Sequence, residues 1–271
     1  MKPSDLTKEQ PIFIDSHAHL ELEPLVNDPD SVIARAGAAG VAAIICVGID
    51  LDDAGVAIDI VERFDNVYGS VGFHPHNAKD VTDSSLESMI QLAQHPRVVA
   101  YGEIGLDFFR NLSPQGRQKA VFSDQLAMAK NLAKPVVIHL RNAYSEGLDM
   151  LEQFAPYPAG GVIHCFSGNR EDAERSLDLG FYISIPGPIT YKKNQELRSI
   201  VSNLPMDRVL LETDCPFLAP EPFRGKDNEP ALIVHTAARV AEIWGISLKE
   251  VARITTGNAI RLFGLPLKQT G

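Results

Sequence analysis

Cysteine is scarce in this chain: Cys46, Cys165 and Cys215 are the only three in 271 residues, and no two form a C-x-x-C pair. A disulfide framework and a zinc ribbon are thereby excluded, and a reducing cytosol fits best. No stretch approaches the ~18 uninterrupted apolar residues of a membrane span, and residues 1–10 lack the apolar centre of a signal peptide. They read as a short polar tail on a cytoplasmic chain without a membrane partner. Positive charge is short as well, since 25 Lys and Arg against 35 Asp and Glu leave a formal net charge of −10. That argues against a broad basic surface for nucleic-acid phosphates, although metal ions and a few local arginines or lysines can supply positive charge at one place. Gly-rich phosphate turns of the G-x-G-x-x-G and G-x-x-x-x-G-K-[ST] kinds are missing too, which weakens a doubly wound nucleotide-binding sheet.

What is present is alternation. Eight short runs rich in Val and Ile, near 11–15, 42–47, 67–72, 98–102, 135–138, 160–163, 181–185 and 208–212, are separated by longer segments of helical spacing. This order predicts βα units around a parallel sheet. The segment 114–132 has Ala120, Val121, Leu126 and Ala127 as its apolar stripe, and 142–154 has Ala143, Leu148 and Leu151. A last helical stretch is expected over about 230–263, and the Pro- and Gly-containing segment 216–230 as a long loop over one face. The length matches the roughly 250 residues of one closed α/β barrel, so a single domain over 1–271 is expected.

Five of the runs end in groups that bind divalent metals: His17 and His19, Glu103, His139, His164, and Asp214. Only a closed barrel brings the ends of strands 1 and 8 beside those of 4 and 5 around one mouth, at the C-terminal rim. Four imidazoles and two carboxylates exceed the needs of one catalytic metal and suit two that share a bridging carboxylate. His17 and His19, two apart at a strand end, leave one face and reach one ion. Asp15 can hold an imidazole N–H behind them. Glu103, flanked by Gly102 and Gly105, is the candidate bridge, with an ion pair to Arg141 as the plain alternative. His139 and His164 are assigned to a second metal, and Asp214 to the first metal and to proton transfer. Glu212, one pleat deeper, would hold an imidazole or an arginine, or form a purely structural ion pair. His74 and His76, Arg141, and Lys192 within Tyr191-Lys192-Lys193 are expected to contact an anionic group or phosphate, the lysines being equally readable as a solvated helix start. Cys165 and Cys215 read as small buried side chains, His95 and His235 as surface or helix-face residues.

With these residues in view, the chain resembles the TatD family of metal-dependent deoxyribonucleases among the amidohydrolase-like barrels. The resemblance is carried by Asp15-Ser16-His17-Ala18-His19-Leu20, Gly72-Phe73-His74-Pro75-His76, Gly102-Glu103-Ile104-Gly105-Leu106-Asp107, Ile138-His139-Leu140-Arg141, His164-Cys165-Phe166-Ser167-Gly168, Glu212-Thr213-Asp214-Cys215-Pro216 and Asn258-Ala259-Ile260-Arg261-Leu262-Phe263. It implies a TIM-like (β/α)8 barrel whose two divalent ions (Zn, Mn, Mg, Ni or Co) are held by His17, His19, Glu103, His139, His164 and Asp214. It further implies a hydrolase that cleaves DNA phosphodiester bonds with a water activated between the ions, Asp214 handling the proton. A 3′-5′ exonuclease on single strands is the favoured substrate reading, with endonucleolytic or repair-type cleavage beside it, and a monomer the favoured state. One departure is Asp227, where the family commonly carries a basic residue.

Two rivals differ in class. An amidohydrolase, esterase or D-aminoacyl-tRNA deacylase would use the same activated water on carbonyl carbon, but the modified lysine that bridges metals in many cyclic-amide hydrolases has no counterpart at strand 4, where Glu103 stands. A non-catalytic, metal-holding interaction protein would not need the complete set of proposed ligands and base that this chain carries.

Overall fold

The Val- and Ile-rich runs become strands because a parallel strand covered by helices outside and by side chains inside has no wet face, and β-branched residues pack well there. In the computed structural model, which describes residues 11–267, the strands are β1 (Phe13–Ala18), β2 (Val41–Gly48), β3 (Val67–Val71), β4 (Val98–Asp107), β5 (Val136–Arg141), β6 (Gly161–Ile163), β7 (Tyr182–Ile185) and β8 (Val209–Leu211). All neighbouring strands pair in parallel, in the order of the sequence. Between them run α1 (Pro29–Ala38), α2 (Leu51–Arg63), α3 (Asp83–Ala93), α4 (Gln115–Leu132), α5 (Tyr144–Phe154), α6 (Arg170–Asp178) and α7 (Gln195–Val201), and β8 is followed by α8 (Ile233–Trp244) and α9 (Leu248–Phe263). The expected α/β barrel is what forms. The proposed tail at 1–10 lies outside the described residues.

Two apolar layers result. Ile14, Ala43, Ile45, Ala100, Val137, Val162 and Leu210 point inward and meet Leu262, Phe263 and Leu265 from the end of the chain. The larger layer lies between strands and helices. Closure is made by β1 and β8 through the side chain of Asp15, whose carboxylate accepts from both the backbone N–H and the hydroxyl of Thr213. Above it, Asp214 N donates to His17 O (2.9 Å) and His19 N to Cys215 O (2.8 Å). Asp15 therefore seals the barrel and accepts from the His17 backbone N–H, and does not hold an imidazole as expected. Burial pushes its carboxyl up to about 7, against the opposing Thr213 hydrogen bonds.

Two helical expectations need correction. The stretch 230–263 is broken: Gly245 ends α8 in the left-handed region at φ 67°, and the Ser247 side chain caps α9 by accepting from Glu250 N. In α4, Ala120 and Ala127 are exposed, and the buried face is Gln118, Val121, Phe122, Gln125, Leu126 and Ala129. The two glutamines belong to the core face because their amides satisfy backbone groups left over beyond strand pairing. Gln125 Oε1 accepts from Phe73 N and its Nε2 donates to Phe73 O, while Gln118 does the same for Asp107.

Strand β4 outruns its expected end and carries a bulge. Tyr101 pairs with Val136 and Ile104 with Ile138, so three steps on β4 match two on β5. The extra residue turns the Glu103 side chain into the barrel mouth. Gly102 (φ 144°) and Gly105 (φ 147°) bracket it, and a Cβ on either would strike a β5 carbonyl, that of Val137 or of His139. The glycines are thus needed for close approach of two backbones, more than for clearance around the carboxylate. Gly105→Ala is expected to lower unfolding stability by about 3 kcal/mol or more, from clash plus unfavourable φ. Gly116→Ala, in open space on α4, should be neutral or stabilising by up to ~1 kcal/mol. Urea titration of both variants checks this; equal stability would show that β4 can shift away from β5.

Candidate metal centre

The C-terminal ends of β1, β4, β5, β6 and β8 converge as a closed barrel requires. His17 and His19 come from the end of β1, where a second bulge (Asp15 opposite Ile44, Ala18 opposite Cys46) turns the strand. Their Nε2 atoms are 3.3 Å apart. Both face the same two oxygens: His17 Nε2 lies 3.4 Å from Glu103 Oε2 and 3.9 Å from Asp214 Oδ1, and His19 Nε2 lies 3.8 and 3.6 Å from them. The other carboxylate oxygen of Glu103 serves the far side, with Oε1 at 2.7 Å from His139 Nδ1 and 2.8 Å from His164 Nε2. Those two nitrogens are again 3.3 Å apart. One carboxylate thus divides its two oxygens between two pairs of imidazoles.

This donor set fits divalent metal. Ligand atoms at about 2.0–2.1 Å from a tetrahedral ion stand about 3.3–3.4 Å from each other, close to the spacing within the His17, His19, Glu103 group. Two nitrogen lone pairs buried face to face repel unless a proton or a cation lies between them. Within three trios, His17–His19–Asp214, His17–Glu103–His164 and His74–Glu103–His139, the ligand atoms all lie within 4.8 Å of one another. Glu103 Oε1 approaches the His139 and His164 nitrogens more closely than ligands of one ion approach each other, as charge attraction between a carboxylate and imidazoles allows.

The surroundings aim these groups. His19 Nδ1 meets Glu21 Oε1 at 2.8 Å, which directs Nε2 towards the cluster. Behind His164 stands Glu212, buried, its Oε1 accepting from Cys165 N (2.7 Å) and lying 3.4 Å from His164 Nδ1. That last pair is close enough for charge attraction but is not aligned as a hydrogen bond, and His164 Nδ1 and Glu212 Oε2 have no such partner. Asp107 takes His76 Nε2 (3.0 Å) and His139 Nε2 (3.3 Å) on Oδ2, and the backbone N–H groups of Phe109 and Arg110 on Oδ1. Asp214 and Cys165 occupy the left-handed region at φ 56° and 47°, conformations that cost energy for non-glycine residues and concentrate at functional sites.

The electrostatics follow from burial and charge. Burial pushes the Glu103 carboxyl up, but His164, His74 and His139 outweigh it and hold it well below the usual carboxylate range. Burial likewise opposes the ionised form of Asp107 and of Asp214. Hydrogen bonds from His139 and His76 overcome it at Asp107, and His19 and its neighbours at Asp214. Buried His74 falls to about 4, chiefly by desolvation, and is neutral near pH 7. His164 moves the other way: the Glu103 and Glu212 charges outweigh burial.

The sequence-predicted residues His17, His19, Glu103, His139, His164 and Asp214 are all brought together. Glu103 is turned to imidazoles and not to Arg141, which stacks its guanidinium 4.2 Å over the Phe109 ring at the cavity wall. His74, expected to meet an anion, is buried with Nε2 3.5 Å from Glu103 Oε1, and His76 stands behind it against Asp107. Lys192 is exposed and lies outside the cavity lining, so it does not join the site. Cys165 is only half-buried and lines the cavity, contrary to the buried reading, whereas Cys215 is fully buried. Asp227 is exposed in the loop, likewise away from the lining. Glu21 and Asp107 were not singled out; their signals are a third same-face position in His17-x-His19-x-Glu21 and a carboxylate closing β4. The cavity over the cluster measures about 530 Å³ and is walled by Leu22, Ile49, Arg110, Arg141, Pro188, Phe217 and Leu218.

The TatD related DNase family model matches residues 14–264. The uncharacterized metal-dependent hydrolase YabD of Bacillus subtilis is 41% identical over 93% of this chain and 99% of its own length. The protein named 3′-5′ ssDNA/RNA exonuclease TatD of Klebsiella pneumoniae is 36% identical over 93% and 98%. The crystal structure of YJJV, a TatD homolog from Escherichia coli, superposes with a TM-score of 0.89 at 33% identity, covering 94% of this chain and 98% of that one. Barrel and cluster together define a metal-dependent hydrolase of the α/β-barrel class. Within that class, the chain belongs to the TatD family.

Because a ligand that binds only the folded state stabilises it, Mn or Zn at 100 times its dissociation constant should add about 2.7 kcal/mol to unfolding stability. The gain should vanish with chelator and in Glu103→Ala. Thermal melts with and without metal read this directly, and an equal gain in Glu103→Ala would remove Glu103 from the ligand set.

Proposed function

We propose that this protein is a two-metal nuclease that removes nucleotides from the 3′ end of single-stranded DNA. The observation that carries the reading is the division of the Glu103 oxygens between the His17/His19 pair and the His139/His164 pair. His17, His19, Asp214 and Glu103 would hold one ion, and Glu103, His139 and His164 the other, with His74 beside it. Mixed imidazole and carboxylate donors suit Zn, Mn, Ni or Co, and Mg less well. When bound, such ions supply Lewis-acid polarisation of a phosphoryl oxygen and a water of lowered pKa.

The chain's own residues do the rest. Asp214, held ionised by His19 and its neighbours, accepts the proton released by the attacking water. Arg110 and Arg141 line the cavity and supply the positive charge that a phosphodiester needs in an otherwise acidic protein. His74, neutral, can donate or bind without adding charge. A cavity of about 530 Å³ is of small-ligand size and fits the end of a strand better than the middle of a duplex, which supports exonucleolytic action. Nucleic acid as the substrate draws support from the relative named as a 3′-5′ ssDNA/RNA exonuclease.

Single-stranded DNA labelled at either end and incubated with Mn or Mg should shorten from its 3′ end. Glu103→Ala should abolish the activity, and Asp214→Asn should lower kcat by at least ~100-fold, the scale of general acid–base catalysis. Absence of cleavage by metal-loaded protein, or equal cleavage by Glu103→Ala, would sink the nuclease reading and turn attention to esters and aminoacyl-tRNA.

A further inference from the structure

Five large apolar side chains are exposed among the described residues, and two are aromatic: Phe217 (53%), in the lining of the cavity, and Phe109 (57%), just past the end of β4 and outside that lining. They follow β4 and β8, which lie across the barrel from one another. Water-exposed phenylalanine is unfavourable unless something covers it. Neither ring is exposed because its backbone is loose. Phe217 N donates to Asp214 O (3.0 Å), and Phe217 O accepts from the side-chain amide of buried Asn228 (2.7 Å). The same amide donates to Thr213 O (2.8 Å), so the loop is tied to the strand that carries Asp214. The Phe217 ring stands edge-on to His19, centroids 6.1 Å apart. Behind Arg141 of the opposite wall, Phe109 N donates to Asp107 Oδ1 (3.0 Å), the carboxylate that also holds His76 and His139. Arg141 covers part of the Phe109 ring at 4.2 Å.

We propose that Phe217, opposite the Phe109–Arg141 pair, is a stacking platform for an unpaired nucleobase next to the metal cluster. The proposal rests on the nuclease reading. A base offers a flat π-face to an exposed ring whatever its identity, so stacking gives affinity without sequence preference. Inside a duplex both faces of a base are covered by its neighbours, and a terminal base stays tied to its pair, so a ring at a concave mouth favours bases that are unpaired and unstacked. Arg141 adds cation–π attraction and a charge for the adjoining phosphate. The ties of Phe217 to Asp214 and of Phe109 to Asp107 fix the backbone that carries each ring relative to the cluster. The mouth thereby distinguishes single strands by their bases, where phosphate charge alone could not.

The test uses two single strands of equal length, one bearing bases throughout and one with tetrahydrofuran abasic analogues at its last four 3′ positions. Both are digested with Mn, and the ratio of their kcat/KM values is compared in the parent, Phe217→Leu, Phe217→Tyr and Phe217→Leu/Phe109→Leu. The parent should prefer the base-bearing strand by about tenfold or more, the scale of base–aromatic stacking. Phe217→Leu should cut this preference severalfold, the double variant should bring it near one, and Phe217→Tyr should keep it. A parent that cleaves both strands alike, or a preference unchanged in Phe217→Leu, overturns the stacking role and leaves the nuclease reading standing. A parent that cleaves neither strand overturns both.

Discussion

A carboxylate buried at the end of an apolar strand is the constraint around which this molecule is arranged. Glu103 is 3% exposed, and an ionised group taken that far from water costs several kcal/mol even after relaxation unless cations meet it. Five imidazoles surround it, two from the end of β1 and one each from β5, the end of β6 and the segment after β3. Imidazoles make a useful counter-charge because they take either a proton or a metal through the same nitrogen. The same nitrogens can therefore balance the carboxylate as imidazolium charge or hold a cation beside it.

That economy depends on parts of the fold remote from any chemistry. Glu103 points into the mouth because β4 carries one extra residue relative to β5, and the bulge is held by glycines packed on β5 carbonyls. His17 and Asp214 share an end of the barrel because Asp15 joins β1 to β8 through Thr213. Closure of the barrel and assembly of the first ligand trio are the same event, since the Asp214 N–H bonds directly to His17 O. Likewise the amides of Gln118 and Gln125 fix the backbone of Asp107 and Phe73, and with it the histidines that follow or lean on those residues. Polar groups that would weaken an ordinary helix–sheet interface here set the positions of ligands.

What was legible in the sequence was local. A histidine that ends a Val–Ile run announces both a strand and its rim, so His17, His19, His139 and His164 could be placed before any pairing was known. Whether β4 bulges is not local, because register exists only between two strands, and Gly102 and Gly105 alone do not reveal which backbone they approach. Asp107 meets its imidazoles, His76 and His139, only when separate segments are assembled, whereas Glu21 lies two residues from His19 and its pairing is open to a local reading. The α4 stripe failed through a rule of thumb that ranks alanine above glutamine for the core, although a buried amide with every group bonded is no liability. Gly245 was the available signal for the break between α8 and α9, overridden by the strong apolar spacing on both sides.

The acidity of the chain bears on how such a site discriminates. With a net charge of −10, long-range attraction for a polyanion is weak, and Arg110 and Arg141 in the cavity lining supply local positive charge that metal ions held by the cluster would reinforce. A broadly basic groove would retain duplex and single strand alike through counterion release, whatever the state of the bases. An acidic surface removes that indiscriminate contribution and leaves selection to contacts made inside the cavity. Such contacts are short-ranged and geometric, so in the proposed reaction a strand end able to enter the mouth would gain them. For the nuclease proposed above, repulsion outside and complementarity inside would act together, and the acidic balance that argues against a broad basic surface would narrow the choice of strand.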